Sequence, residues 1–220
     1  MTVISGAFSA SVRLGGRHHL VARRYLPVKR ALDLVFCAIV FVPVAIAGLL
    51  CALAIRLDSP GPIVYAQTRE GKDGRPFRMY KFRTMVKNAD ELLPSLAHLN
   101  ALLPPDFKIP NDPRITRVGR LLRKTSLDEL PQFLNVLKGD MSIVGPRPTL
   151  IGLEAYKLWQ CERLEVRPGI TGIWQLEGRH ATSFDERLRY DLEYIRSMSL
   201  LLDIKLILRT VLVVFRGTGV

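Results

Sequence analysis

The stretch LVFCAIVFVPVAIAGLLCALAI, from Leu34 to Ile55, decides how this chain is built. It runs for 22 residues without a charge. As a helix it would be about 33 Å long, enough to match the hydrocarbon core of a bilayer. It is too long for the apolar region of a signal peptide, and no small-x-small cleavage site stands clearly behind it. A membrane seat is the expectation, against the alternative of a buried core helix. Whether the segment crosses is a separate question. Pro43 deletes a backbone hydrogen bond near the middle and leaves arms of 9 and 13 residues. Basic residues flank both ends: Lys29 and Arg30 before, then Arg56, Arg69 and Lys72 after. The positive-inside bias therefore draws both flanks to the cytoplasm. A helix that enters and leaves on one side satisfies both signals; a kinked spanning helix is the other reading, and the residues alone leave both open.

Working outward, residues 1–30 carry six basic side chains and no acidic one. This is either a solvated tail or a juxtamembrane segment facing anionic lipid. Within the whole chain, 32 Lys+Arg stand against 20 Asp+Glu, a net charge of +12 over 220 residues. One domain of ordinary size plus an anchor fits that length. At 48% hydrophobic residues the chain is not a disordered linker. Three scattered cysteines, Cys37, Cys51 and Cys161, form neither a disulfide framework nor a zinc pattern and lean toward a reducing compartment. The basic excess would suit nucleic acid, but the apolar run and the lack of an aromatic–basic strand motif count against it.

Beyond the anchor, Asp58–Pro62 is a turn cluster that should end the helix. Ile63–Ala66 and Phe77–Phe82 read as strands around Gly71–Gly74. Helices are expected over Asn88–Leu103 with a break at Pro94, over Ile115–Lys124, after Ser126, over Ile151–Leu164 and over Phe184–Ser197; Leu103–Arg114, with its four prolines, reads as a loop. Leu200–Phe215 is apolar but places Lys205, Arg209 and Arg216 on one stripe, which suits a helix lying in the membrane interface or, alternatively, a core helix.

The segment from Arg123 to Gln132 is richest in chemistry. Ser126 and Glu129 have the spacing of a capping box. Asp128 and Glu129 beside Arg123 and Lys124 suit phosphoryl chemistry equally well, one carboxylate attacking phosphorus while the other holds a divalent cation. Lys81 and Arg83 alternate onto one strand face. Gly139–Pro148 and Val166–Gly172 are stiff loops presenting Arg147 and Arg167, and Gly178-Arg179 presents a third arginine. Rigid guanidinium forks in one small body suit phosphate oxygens.

These pieces, Lys29-Arg30-x-x-Asp33, Lys81–Met85, Ser126–Gln132, Lys138–Pro148 and Arg167–Trp174, resemble in order the bacterial monotopic polyprenol-phosphate phosphoglycosyl transferases, the initiating sugar transferases of glycan assembly. The resemblance covers Lys29 to about Phe215. It implies an α+β fold: a small, mainly helical cytoplasmic catalytic body (58–199) with a short β-hairpin. The body would be anchored by a re-entrant membrane helix (29–57) bent at Pro43 and by an interfacial amphipathic helix (200–220), behind a basic tail (1–28). It implies transfer of a sugar 1-phosphate from a nucleotide-sugar, usually a UDP-sugar, to polyprenol phosphate at the cytoplasmic face of the inner membrane. Asp128 matches the nucleophile and Glu129 the Mg²⁺ ligand. Lys81, Arg83, Arg123, Arg147, Arg167 and Arg179 match positions for substrate phosphates, and Lys29 and Arg30 the basic pair that meets the lipid phosphate. Anionic lipids are expected partners, nucleic acid is not, and homo-oligomerisation stays open. Relatives often carry Ser-Pro at the bend, where this chain has Val42-Pro43. The multi-span region that precedes the anchor in some relatives is not matched, so a minimal form is expected. A membrane scaffold without catalysis is the rival reading.

Overall fold

A computed structural model describes residues 18–101, 108–149, 156–177 and 183–215. Helix α1 runs unbroken from His18 to Asp58 with Pro27 and Pro43 inside it. It therefore starts well before Lys29, because Tyr25 already packs into the body. Asp58 then ends it, and its carboxylate accepts the Val118 N–H at 3.1 Å.

Along α1, burial follows an i, i+4 stripe. Tyr25, Lys29, Asp33 and Cys37 are buried, and Cys51 and Ile55 are buried again near the other end. Between Cys37 and Cys51 no residue is buried, and large apolar side chains stand out: Ile39 and Leu49 are each 72% exposed. The first stripe joins a core built from Val136, Met141, Ile143, Leu192, Tyr194 and Leu206. The second packs with Phe82 and Leu122. Both ends of the apolar helix thus touch the same body.

Strands β1 (Val64–Glu70) and β2 (Pro76–Phe82) form an antiparallel hairpin with Val64 opposite Phe82 and Glu70 opposite Pro76. A turn at Lys72–Gly74 closes it, with Asp73 and Gly74 left-handed. Strand β1 runs on past Ala66, where its sequence suggests it ends, to Glu70, which matters for Arg69 below. Helix α2 (Ala89–Leu96) continues through Pro94 for two residues and then gives way to a 3₁₀ turn at Ala97–Leu99, so the expected helix to Leu103 is cut short. Helix α3 (Arg117–Thr125) is capped by Thr116, whose hydroxyl accepts the Gly119 N–H at 3.0 Å.

Helix α4 (Gln132–Lys138) begins after Pro131. Asn135, fully buried, fixes it to the hairpin: its Nδ2 donates to the Arg78 carbonyl at 2.7 Å and its Oδ1 accepts the Tyr80 N–H at 3.0 Å. Strands β3 (Ser142–Val144) and β4 (Gly169–Thr171) pair in parallel, joining the two segments read above as stiff loops. Gly145 and Gly169 permit that approach. A Cβ on Gly169 would stand 2.1 Å from the Gly145 nitrogen.

The expected helix over Ile151–Leu164 falls partly outside the described residues, and Leu158–Glu165 is a 3₁₀ segment. Helices α5 (Ile173–Glu177), α6 (Phe184–Ser197) and α7 (Leu200–Phe215) complete the order, the last two with the bounds their sequence implies. Helix α7 is core on one side, with Asp203, Leu206 and Ile207 buried, and apolar outside, with Leu201, Leu208 and Leu212 exposed. Its Arg209 pairs with Glu177.

Candidate active site

The dyad is delivered by a sharp turn. Helix α3 ends at Ser126, whose backbone is left-handed (φ 58°) and whose N–H donates to the Leu122 and Arg123 carbonyls. The chain then makes a single 3₁₀ turn, Leu127–Glu129. Ser126 is therefore the C-cap of the helix before it. The capping-box reading fails, because an N-cap needs extended backbone and Ser126 makes no side-chain cap bond. A non-glycine residue held in this region is strained, and the turn it makes brings both carboxylates to Lys81 of β2.

The two acids meet different surroundings. Glu129 Oε1 accepts from Lys81 Nζ at 2.8 Å and from Arg147 Nη2 at 2.7 Å. Burial opposes ionisation of Glu129, yet Arg147 and Lys81 together hold its carboxyl well below the ordinary range. Asp128 makes no carboxylate hydrogen bond among the described residues, and its nearest cation is Lys81 Nζ at 4.0 Å. Burial raises its pKa, only partly offset by Lys81 and Arg123. Arg123 is half-buried beside it and donates from Nε to Thr84 Oγ1 at 2.8 Å. One carboxylate is clamped and the other is loose. Arg147 is held in place from behind: Arg163, buried in an ion pair with Asp191 at 2.7 Å, donates to the Arg147 carbonyl at 2.5 Å. The Arg147 guanidinium also lies over the Trp174 ring, 5.9 Å from its centre.

A profile of bacterial sugar transferases matches residues 24–217. The chain belongs to the bacterial sugar transferase family. It is 46% identical over 204 residues to a galactosyl transferase, CpsE, of Streptococcus agalactiae serotype III, covering 91% of this chain and 44% of that protein. It is 41% identical over 213 residues to an undecaprenyl-phosphate galactose phosphotransferase of Salmonella typhimurium, covering 92% of this chain and 44% of the relative. The exopolysaccharide production protein ExoY of Rhizobium meliloti is 36% identical over 196 residues, 87% of each chain. The chain thus spans less than half the length of the first two and most of the third.

Within this family member, Lys81, Arg123, Asp128, Glu129 and Arg147 come together, and other expected residues do not. Strand β2 ends at Phe82, so the alternation that put Arg83 beside Lys81 stops. Arg83 instead donates from Nη1 to the Pro60 carbonyl at 2.9 Å and from Nη2 to the Ser59 carbonyl at 2.7 Å, tying the hairpin to the end of α1. Lys29, 4% exposed, is sealed against Asp203 at 2.5 Å. That placement does not fit a contact with a lipid phosphate, because the ammonium is already neutralised and enclosed. Arg30 turns to the last turn of α4, donating to the Val136 and Leu137 carbonyls at 2.6 and 3.0 Å, and Arg167 donates to the Gly139 carbonyl, two residues on, at 2.6 Å. These two cations line one hollow with Lys29 and Asp33. Arg179 lies outside the described residues.

Arg69 belongs to the site and is absent from the sequence expectation. With β1 extended to Glu70, Tyr65, Gln67 and Arg69 share the face of Lys81, because Tyr65 opposes Lys81 and Arg69 opposes Phe77. The signal lies in the alternation of Tyr65, Gln67 and Arg69, but ending the strand at Ala66 left Arg69 outside it, as a basic residue flanking the apolar run.

Proposed function

We propose that this chain transfers a sugar 1-phosphate from a nucleotide-sugar, probed first as a UDP-sugar, to polyprenol phosphate through a phospho-sugar intermediate on Asp128. One observation carries this reading: adjacent carboxylates in one cationic pocket, Glu129 pinned by Lys81 and Arg147 and Asp128 without a carboxylate hydrogen bond among the described residues. A pinned carboxylate positions and a loose one can attack. Lys81 and Arg123 flank Asp128 and would neutralise charge as the phosphorus is attacked. The names of the relatives, which act on undecaprenyl phosphate and in exopolysaccharide production, agree with this chemistry.

Mg²⁺ suits the same pocket. Such ions are held by one or two carboxylates and completed by water and substrate phosphates. Glu129 Oε2 makes no hydrogen bond among the described residues, and no third acidic, histidine or cysteine side chain joins the dyad there. Glu129, with Asp128 beside it, would hold the ion, which would supply charge neutralisation on the diphosphate.

The lipid acceptor must arrive from the membrane side. Exposed apolar residues of α1 and α7, such as Ile39, Leu49, Leu201 and Leu212, form the surface that would be seated in lipid. Contact of both ends of α1 with one body supports an anchor that re-enters on the cytoplasmic side, because a helix perpendicular to the bilayer would carry one end away from that body. Arg30 and Arg167 are the cations left for a lipid phosphate.

The test is release of nucleoside monophosphate from a panel of UDP-sugars by purified chain in detergent. Release that depends on both Mg²⁺ and polyprenol phosphate is the expected result; none with any donor contradicts the reading. For topology, single cysteines at Ser11 and Asp73 in a background free of native cysteines should both resist labelling from outside intact cells. Labelling at Ser11 alone would mean that α1 spans.

A further inference from the structure

The hairpin carries one half-buried guanidinium that the reaction above does not use. Arg69 Nη2 donates to Gln67 Oε1 at 2.7 Å and Nη1 to the Pro148 carbonyl at 3.3 Å, while its Nε is buried without a partner. Among the described residues no carboxylate lies within ion-pair distance of it. Its charged neighbour is Arg147, whose one carboxylate, Glu129, is already shared with Lys81. Burial and the Arg147 charge pull the Arg69 guanidinium down to about 10. Two arginines driven together with one shared counter-ion form a place that an anion would stabilise.

Charge and position say which anion. Lys81, Arg123, Arg147 and Arg69 gather around Asp128 and Glu129; Asp112 and Asp191 also act on Arg123 and Arg147 but are each already ion-paired with another arginine, Arg114 and Arg163, so an excess of positive charges remains. A nucleotide-sugar diphosphate carries two negative ones. Asp128 has Lys81 as its neighbour at 4.0 Å, whereas Arg69 lies at the turn end of the same hairpin face, against Pro148. In an in-line displacement the leaving oxygen lies opposite the nucleophile.

We infer that Arg69 and Arg147 clamp the phosphate that leaves with the nucleoside, while Lys81 and Asp128 face the phosphate that carries the sugar. This rests on the transferase reading above. In the step it serves, a bond forms between Asp128 Oδ and the sugar-bearing phosphorus. The bond from that phosphorus to the bridging oxygen breaks. The electron pair stays on the nucleoside monophosphate, where the two guanidiniums receive it, and no proton moves.

The experiment is calorimetric titration of the full chain in detergent and Mg²⁺ with inorganic pyrophosphate and, separately, orthophosphate. The wild type should bind pyrophosphate more tightly. Arg69→Gln should weaken pyrophosphate by about 10- to 150-fold, the worth of a hydrogen bond to a charged group, and orthophosphate by much less, because a single phosphate can move to Lys81 and Arg123 whereas pyrophosphate must span both places. Arg69→Lys, which keeps charge but loses the fork, should fall between and covers the case in which the glutamine variant does not fold. Equal weakening of both anions would make Arg69 a brace for the Pro148 loop and overturn the clamp. So would an unchanged pyrophosphate affinity, or a wild type without preference for pyrophosphate. Failure of the transferase reading looks different: the wild type would bind pyrophosphate yet release no nucleotide from any donor.

Discussion

Two lysine–carboxylate pairs in this molecule have nearly the same length and opposite meaning. Lys29 and Asp203 meet at 2.5 Å with side chains 5% and 0% exposed, and Lys81 and Glu129 at 2.8 Å with 22% and 16%. Asp203 is saturated: Tyr25 and Tyr194 each donate to it at 2.7 Å beside the lysine. This pair welds the start of α1 to α7 and α6, and nothing is left over for a ligand. Around Lys81 the accounts do not close. Among the described residues, Asp128 stands beside the pair without a carboxylate hydrogen bond, and Arg69 lies beyond it without a carboxylate at ion-pair distance. A sealed, satisfied pair is architecture; an open pair with unmatched neighbours is a place for chemistry.

The sharpest way to break this contrast is to exchange the fates of the two regions by mutation. Asp128→Asn should abolish turnover while the protein stays folded and membrane-bound. Its pH behaviour has a definite sign. Burial raises the Asp128 pKa above its unfolded value, so at neutral pH the ionised side chain favours the unfolded chain. The asparagine variant should therefore unfold at a higher temperature than wild type at neutral pH. The gap should close as pH falls through the raised value toward the ordinary carboxylate range. In the wild type, transfer should fail over that same acid interval as Asp128 takes up its proton, while Glu129 stays ionised.

Asp203→Ala should do the reverse. Leaving Lys29 buried and unpaired costs about 3–5 kcal/mol, read as a large drop in thermal unfolding temperature in detergent. The folded fraction should still form the phospho-sugar adduct. Arg147→Ala sits between: losing a hydrogen bond to a charged group costs about 1.5–3 kcal/mol, a fall of about 10- to 150-fold in transfer efficiency with little change in unfolding.

How much of this was legible beforehand follows the range of the interactions. Helix α6 is announced by Ser183, which caps it by accepting the Glu186 N–H at 3.2 Å, and by an apolar period that continues to Ser197. The hairpin and the dyad are equally local. Lys29 reads as a free cation because its partner lies 174 residues away. The β3–β4 pairing joins two glycine-bearing segments that look like separate loops, since parallel pairing leaves no turn signal between neighbours. Ser126 misled for another reason: the S-x-x-E spacing is the same whether the serine begins a helix or ends one, and only its φ distinguishes them. Arg69 was missed because β1 runs on to Glu70, and Arg83 was placed beside Lys81 because the alternation was carried past Phe82, where β2 ends.

If Asp128, the loose carboxylate, takes the phosphorus, the sugar phosphate must pass through a covalent bond to it. The direct measurement is intact-protein mass spectrometry of the chain mixed with an accepted nucleotide-sugar and Mg²⁺ but no polyprenol phosphate. The wild type and Asp203→Asn should each gain the mass of one sugar phosphate, mapped by peptide fragmentation to Asp128 and discharged when polyprenol phosphate is added. Asp128→Asn should gain nothing. An adduct on the asparagine variant, or one mapped to Glu129, would contradict that route.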